Sequence, residues 1–357
     1  MSNVLETATL PIVTCAGEPR RRGRSHGEEL RDRIAAGMGR WLEALGSRHG
    51  IDPDDYLRGF LDETDHLPAI RRWTPELLAE VRGIAEGAGQ PFPRVLAYNL
   101  MDEEWSYGQG RRRGAPGCTV VGFRTAAGTT VIAQNMDIPT VHDGTQAVLR
   151  IRAEAGPEIL AFTMAGFIGL MGANAAGVGV VVNNLDMLPS SAGGLPVAFV
   201  LRGILVRSTL AAAAAFVDQV PHAIGQHYGI GGPHGLASYE CAANGAVRDE
   251  TAVERIVHTN HPLVNPAVVG ETEAERRYAA SNTRARYDAV AACAAELADL
   301  AGAERVLSET TAPVSRAPRR GFMTFGSMAA ELTVPPRVRF APGPPHTTPY
   351  VEVGFSA

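Results

Sequence analysis

The hydrophobic period of this chain changes once, and the change falls at Gly117. Ahead of that point, apolar residues recur at helical spacing. Leu30, Ile34, Met38, Trp41 and Leu45 line one face of a helix, and Leu77, Val81, Ile84, Ala85 and Ala88 line another. Pro75 suits the first turn of the second helix, Gly87 and Gly89 suit its end, and a further helix is expected from Pro93 to Ser106. The segment from Tyr107 to Gly117 has no apolar period and reads as a linker. Beyond it the period is two. Cys118–Arg124 and Thr130–Asp137 read as a strand, a turn at Ala126–Gly128 and a returning strand. Short strands follow at Val148–Arg152, Ile159–Thr163, Phe167–Met171 and Gly177–Asn183. Helices are expected over Pro196–Val217 and Asn282–Ala301, with further strands between them and in the tail, and glycine-rich Gly225–Gly235 is expected to be a loop. Strand runs separated by helices indicate an α+β fold rather than strict βαβ alternation.

Composition narrows the chemistry. The 357 residues include no lysine, so all 33 basic residues are arginine. That excludes a lysine Schiff base, lysine-held pyridoxal phosphate and the P-loop lysine. A net charge of −5 argues against nucleic acid or an anionic membrane as the main partner. No run of 18 apolar residues and no secretory leader is visible, so a cytoplasmic protein is expected. The four cysteines form no CxxC pair and suggest neither a disulfide framework nor a structural zinc site.

Two common motifs fail on context. Gly23-Arg24-Ser25-His26-Gly27 has the G-x-S-x-G spelling of a serine-hydrolase elbow, but no buried strand leads into it. His222, His227, His234, His258 and His261 are dense enough to raise a metal-dependent hydrolase as an alternative, yet no H-E-x-x-H pattern accompanies them. Cys118 differs from the other cysteines because it follows Gly117 and opens a strand. A cut between the two would place a thiol and a free α-amine on one residue. The amine, titrating a little below pH 8, can serve as base for its own side chain. Asp137 ends the returning strand, so a hairpin of that length brings its carboxylate back beside Cys118.

With those residues in view, the chain resembles the acyl-coenzyme A:6-aminopenicillanic acid acyltransferase family, a cysteine branch of the N-terminal-nucleophile hydrolases. It is more distantly similar to penicillin V acylases and bile-salt hydrolases. The resemblance is carried by Gly17-Glu18-Pro19 with Gly23–Gly27, the Glu80–Gly89 helix, Gly117-Cys118-Thr119, Gln134-Asn135-Met136-Asp137 and Ala165-Gly166-x-x-Gly169. Asn183-Asn184-Leu185, His258-Thr259-Asn260-His261 and Ser281-x-x-Arg284 complete it.

The resemblance implies a four-layer αββα sandwich with a mainly helical N-terminal arm. It also implies self-cleavage at Gly117–Cys118 into an alpha chain (1–117) and a beta chain (118–357). Cys118 would be the nucleophile, forming a thioester. Asp137 would hold the α-ammonium, Asn260 the oxyanion, and Arg284 the nucleophile region. Arg286, two residues on, ranks below Arg284. Asn183 or Asn184 would support the α-amine or substrate, but adjacent strand residues point to opposite faces, so only one should face inward. Asn135 and Ser281 are supporting candidates. The implied activity is hydrolysis of an N-acyl or peptide-like amide, or acyl transfer from a thioester or amide donor to an amine. No cofactor is implied, a homo-oligomer is compatible with the sequence, and an uncut binding protein is the non-catalytic alternative. Met136 stands where penicillin-linked members have tryptophan, so penicillin is not carried over as substrate.

Overall fold

The computed structural model describes residues 10–107, 117–269, 282–319 and 321–356. The arm holds a short strand, β1 (Ile12–Ala16). The helices that follow are α1 (Pro19–Glu29), α2 (Arg31–His49), α3 (Pro53–Glu63), α4 (Leu67–Trp73), α5 (Pro75–Ala88), α6 (Phe92–Tyr98) and α7 (Met101–Tyr107). The expected helix from Pro93 to Ser106 is thus two. Asn99 breaks it by donating Nδ2 to the carbonyls of Val95 and Gly166, and it accepts the Ile168 N–H on Oδ1. That side chain ties the break to a turn of the body, a constraint invisible to periodicity.

Two sheets form the body. The larger is built from β1, β4 (Gln146–Arg152), β5 (Ile159–Met164), β6 (Met171–Asn174), β7 (Gly179–Asn184), β8 (Gln226–Gly232), β9 (Gly235–Ala242) and β10 (Gly245–Arg248), in that spatial order. Only its β1–β4 pair is parallel. The smaller sheet runs β11 (Arg255–His258), β2 (Thr119–Arg124), β3 (Thr130–Pro139), β12 (Phe322–Glu331), β13 (Arg337–Ala341) and β14 (Val351–Val353). Alternation along β2 explains the layering. Val120 packs into the main core with the larger sheet, while Val121 and Phe123 pack under α10 (Thr283–Ala294) and α11 (Leu300–Leu307). The larger sheet is backed by α8 (Val197–Leu205) and α9 (Leu210–Gln219). The order is helix, sheet, sheet, helix, and the fold is α+β.

Several boundaries differ from the sequence expectation. Gly225–Gly235 contains β8, a central strand, because an added Cβ at Gly231 would sit 2.3 Å from Leu332. Its glycines serve close packing between the sheets rather than a turn. Caps split the long helices. Thr209 accepts the Ala212 N–H at the start of α9, and Asp299 accepts the Gly302 N–H at the start of α11. Phe167–Leu170 is a turn ahead of β6, carried by Gly166 at φ 90°.

The arm shares the body's core. β1 adds to the edge of the larger sheet, and one apolar cluster spans both segments. Gly23 and Gly27 of α1 and Gly83 and Gly87 of α5 bring two helix backbones together, and a Cβ at Gly83 would lie 2.1 Å from the Arg20 carbonyl. The G-x-S-x-G string is therefore a helix-packing motif, with Ser25 inside α1. Beneath the crossing, buried Glu80 meets Arg202 of α8 at 2.8 Å and Arg22 at 3.2 Å. Burial alone would raise the Glu80 carboxyl, but Arg202 and Arg22 bring it below its ordinary value. Gly83→Ala should cost about 1–3 kcal/mol through overpacking of the α1–α5 contact, measured by urea denaturation.

Candidate functional site

Cys118 lies at the mouth of β2, where the hairpin register pairs Thr119 with Asn135 and Val120 with Gln134. That register puts Cys118 level with Met136, and the two sulfurs are 3.6 Å apart. The thiol faces a pocket of about 410 Å³ of empty space including its mouth, whose walls include Met101, Trp105, Met136, Phe167, Leu170 and Leu201. Asp102, Asp137, Asn184 and Gln226 add polar groups to that lining. Burial pushes the Cys118 thiol up to about 12, and the negative charge of Asp137 adds to the rise. The backbone N–H of Asp137 and the charge of Arg286 pull the other way. In the uncut chain the thiol is therefore protonated at neutral pH.

Asp137 is adjacent to Cys118, as the hairpin length requires. Its Oδ1 accepts the Thr324 hydroxyl at 2.6 Å, and its Oδ2 makes no hydrogen bond but lies 3.5 Å from Arg316 Nε. Burial raises this carboxyl to about 6, against the opposing effects of Arg316, Arg286 and Thr324. It is the buried carboxylate best placed to take a proton from the thiol or to hold an α-ammonium.

The guanidinium beside Cys118 belongs to Arg286, not to Arg284. Arg286 Nη1 donates to the Cys118 carbonyl and, at 2.9 Å, to Thr119 Oγ1. Nη2 donates to Asn260 Oδ1 at 2.9 Å, and Nε to Asn282 Oδ1 at 3.0 Å. Burial lowers its pKa to about 10, where it is still charged at neutral pH. Arg284 lies on the exposed face of α10. Two residues along a helix is about 200° around its axis, so only one of the pair can face the sheet. The register was open to reading: Thr283-x-x-Arg286 also fits the S/T-x-x-R spacing. Thr283, which starts the helix, anchors the neighbouring loop by accepting the Asn260 N–H at 2.8 Å. Ser281 lies outside the described residues.

Asn260 is oriented from both ends, with Oδ1 held by Arg286 and Nδ2 donating to the Asn184 carbonyl at 3.1 Å. Asn184 lines the pocket, while Asn183 turns between the sheets and bonds His227 Nδ1 through Oδ1 at 3.0 Å. Asn135 faces the helical layer instead, donating Nδ2 to the carbonyls of Leu307 and Val314. Gln134, quoted only as part of a motif, has a definite job. Val182 pairs with Tyr228 of β8, but β6 ends before reaching its other side, and there the Gln134 carboxamide takes both its N–H and its carbonyl.

Arg316 was not anticipated. An added Cβ at Gly117 would come within 3.0 Å of Arg286 Nη2 and 3.2 Å of Arg316 Nη2, so the two guanidinium groups flank the residue before the nucleophile. Asn282 Oδ1 accepts from both. A side chain at position 117 would press on both guanidinium groups, which would have to shift by a few tenths of an ångström. Nothing in the sequence near Arg316 marked it, because loop and strand meet there only through tertiary packing.

The histidines do structural work. His258 Nε2 meets Glu240 at 2.9 Å and its ring stacks on His227 at 3.8 Å, while His222 Nε2 bonds the Val217 carbonyl. Among the described residues no group of three or more His, Cys, Asp or Glu is arranged to hold a metal ion, and the metal-centre reading finds no support. Likewise no described helix is long and apolar enough to cross a membrane. Glu240 also accepts the N–H groups of Leu263, Val264 and Asn265, closing the turn that follows Asn260.

Comparison with known proteins gives the class and then the family. A sequence profile described as acyl-coenzyme A:6-aminopenicillanic acid acyl-transferase matches residues 124–331. The 40 kDa form of acyl-coenzyme A:6-aminopenicillanic-acid-acyltransferase from Emericella nidulans is 32% identical over 259 residues, which are 71% of this chain and 70% of that protein. Among solved structures, a variant of conjugated bile acid hydrolase from Clostridium perfringens superposes with a TM-score of 0.43 at 12% identity, covering 66% of this chain and 92% of that one. Penicillin V acylase from Agrobacterium tumefaciens gives 0.43 at 15%, covering 63% and 83%. The protein is an enzyme of the acyltransferase class. It belongs to the acyl-coenzyme A:6-aminopenicillanic acid acyl-transferase family.

The Glu240 anchor is testable through its charge. Burial alone would raise Glu240, but His258 and the N–H groups of Leu263 and Asn265 bring it below its ordinary 4.5. Its stabilising contribution is complete above that value and is lost as the pH falls through the lower folded pKa. Wild-type Tm should therefore drop on acidification below about pH 4.5, with part of that drop missing in Glu240→Gln. At pH 7 the variant should be less stable by about 1–3 kcal/mol, because in either orientation at least one backbone donor then faces an amide NH2.

Proposed function

We propose that the protein is a self-processing cysteine amidohydrolase that uses Cys118 twice. In the precursor, Asp137 takes the thiol proton and Sγ attacks the Gly117 carbonyl carbon. The C–N bond to Cys118 breaks as its nitrogen takes up the proton, leaving Gly117 as a thioester on Sγ. Water hydrolyses that ester, releasing the Gly117 carboxylate, the thiol and a free α-amine. The two chains, 1–117 and 118–357, stay together because β1 and the arm helices share the body's core.

In turnover, the α-amine serves as base for the thiol, which attacks the substrate carbonyl. Asn260 supplies an oxyanion donor, a contribution typically worth a few kcal/mol in such sites. Its amide is held the right way round because Arg286 occupies Oδ1, leaving Nδ2 to donate toward Asn184, which lines the pocket. The amine leaves with a proton, and water resolves the thioester. Acyl transfer, in which an amine resolves it, is the second reading, favoured by the 32% identity to an acyltransferase. The pocket takes a small amide or acyl donor.

The observation that carries this reading is the convergence at one strand end. Cys118, Asp137, Arg286 and Asn260 meet beside a pocket, with Gly117 held close between the guanidinium groups of Arg286 and Arg316. Intact-mass measurement under denaturing conditions tests it. Wild type should give two fragments meeting between Gly117 and Cys118, while Cys118→Ala stays whole. A wild type that remains uncut through prolonged incubation sinks the mechanism and leaves the non-catalytic reading. The cleavage rate of wild type should also rise with pH through about 6 as Asp137 ionises. Asp137→Asn should lose that limb and slow cleavage by about 100-fold or more, within the range of general base catalysis.

A further inference from the structure

One buried amide in the pocket is not used by the fold. Gln226 opens β8, is 2% exposed and lines the pocket together with Cys118. Among the described residues its Oε1 finds no hydrogen-bond partner. Two other buried glutamines differ. Gln134 uses both ends of its carboxamide on the Val182 backbone, and Gln146 Nε2 donates to Asp143 Oδ1 and to the Phe325 carbonyl. A buried amide left unbonded destabilises the chain that carries it. The adjoining wall shows what would avoid that penalty. Val182, Val197, Ala198 and Leu201 are apolar, and an apolar residue at 226 would extend their surface. Stability given up in a pocket wall is characteristic of a residue held for binding.

Strand register places this amide relative to the nucleophile. Gln226 pairs with Asn184 of β7, so the two side chains stand on one face of the larger sheet. Asn184 lines the same pocket, and its carbonyl accepts Asn260 Nδ2. Gln226 is therefore one strand beyond the residue that steadies the candidate oxyanion donor. The terminal torsion of a glutamine is soft, so the carboxamide can turn its oxygen or its nitrogen to a ligand. Being uncharged, it does not offset the desolvation of an ionised group. It suits a neutral one, a hydroxyl or an amide.

We propose that Gln226 is a specificity residue that selects substrates whose pocket-bound portion is an apolar chain carrying one neutral hydrogen-bonding group, a hydroxyl or an amide. This rests on Cys118 being the nucleophile. The competing role is structural, with the amide steadying the start of β8. The two differ in what removal does: a structural amide is missed by the free protein, whereas an unbonded one is not.

The experiment tethers paired thiols to Cys118 in the processed wild type, Gln226→Met and Gln226→Leu. The members of a pair have equal length and differ only in a terminal methyl or hydroxyl. The series runs from 1-propanethiol with 2-mercaptoethanol to 1-heptanethiol with 6-mercaptohexanol. Each thiol is supplied with its symmetrical disulfide. Cys118 Sγ attacks that disulfide, forms the mixed disulfide and releases one thiol, and the pair competes to equilibrium. Adduct ratios are read on the Cys118 peptide by mass spectrometry, which separates it from Cys15, Cys241 and Cys293. In wild type the hydroxyl-to-methyl ratio should peak at the chain length that brings the terminal group to Gln226. At that length it should exceed the ratio in both variants by about fivefold, a factor typical of one net hydrogen bond. Both variants should have a Tm at least equal to that of wild type. A wild-type ratio with no peak overturns the proposal. So does a peak that persists in the variants, which assigns it to another polar group of the lining. Misfolding or a clear fall of Tm in both variants also overturns it, because the amide then serves the fold. A Cys118 that is processed but takes up none of the thiols overturns it too, because the pocket is then not open to the chain. Failure of the nucleophile reading shows separately, as a wild type that never cleaves.

Discussion

A single buried guanidinium holds the candidate site together. Arg286 is 1% exposed, yet its donors are spent on the Cys118 carbonyl, Thr119 Oγ1, Asn260 Oδ1 and Asn282 Oδ1. The four acceptors come from three separate parts of the chain: the start of the hairpin, the loop after β11, and the start of α10. A buried cation is tolerated only when it is fully hydrogen-bonded. The fold therefore brings these acceptors to Arg286, and in doing so it orients both the nucleophile's backbone and the carboxamide of Asn260. Arginine suits the post because its planar fork directs several donors at fixed angles.

The arm shows a second use of the same principle. Glu80 lies under the α1–α5 crossing, where four glycines let the helix backbones touch, and it is held by Arg22 and Arg202. Arg202 belongs to α8, which follows the hairpin by many residues and forms part of the pocket wall through Leu201. Arm and body are thus joined by buried charge as well as by β1 and the shared core. These contacts join arm and body independently of the Gly117–Cys118 peptide bond. His26 reinforces the arrangement, since its Nε2 accepts the Gly166 N–H, and burial lowers its pKa to about 4, so it remains neutral.

Electrostatics at the nucleophile is balanced rather than uniformly favourable. Asp137 and Asp102 oppose ionisation of the thiol, while Arg286 and the Asp137 backbone N–H favour it. The uncut chain therefore keeps a protonated thiol beside a carboxylate raised to about 6. Gly117 contributes by absence of a side chain, because Arg286 and Arg316 occupy the space a Cβ would enter.

The sequence by itself determined the change of period at Gly117, the hairpin that returns Asp137 to Cys118, and the α+β succession of helices and strands. These depend on local alternation and on chain length, which are written along one dimension. Tertiary structure alone decided which of two neighbours faces the site. Arg286 displaced Arg284 because the rotation of α10 is set by its packing on β2, and Asn184 took the pocket because the register of β7 against β8 turns Asn183 toward His227. The same holds for β8, where glycines that spell a loop make a central strand because Leu332 and Leu210 need the space. Arg316, Gln134 and Glu240 act on partners 179, 48 and 18 to 25 residues away, over separations that periodicity does not carry. Local pattern states what an element is. Which side chain it presents, and to what, follows only from the close packing of elements distant in the chain.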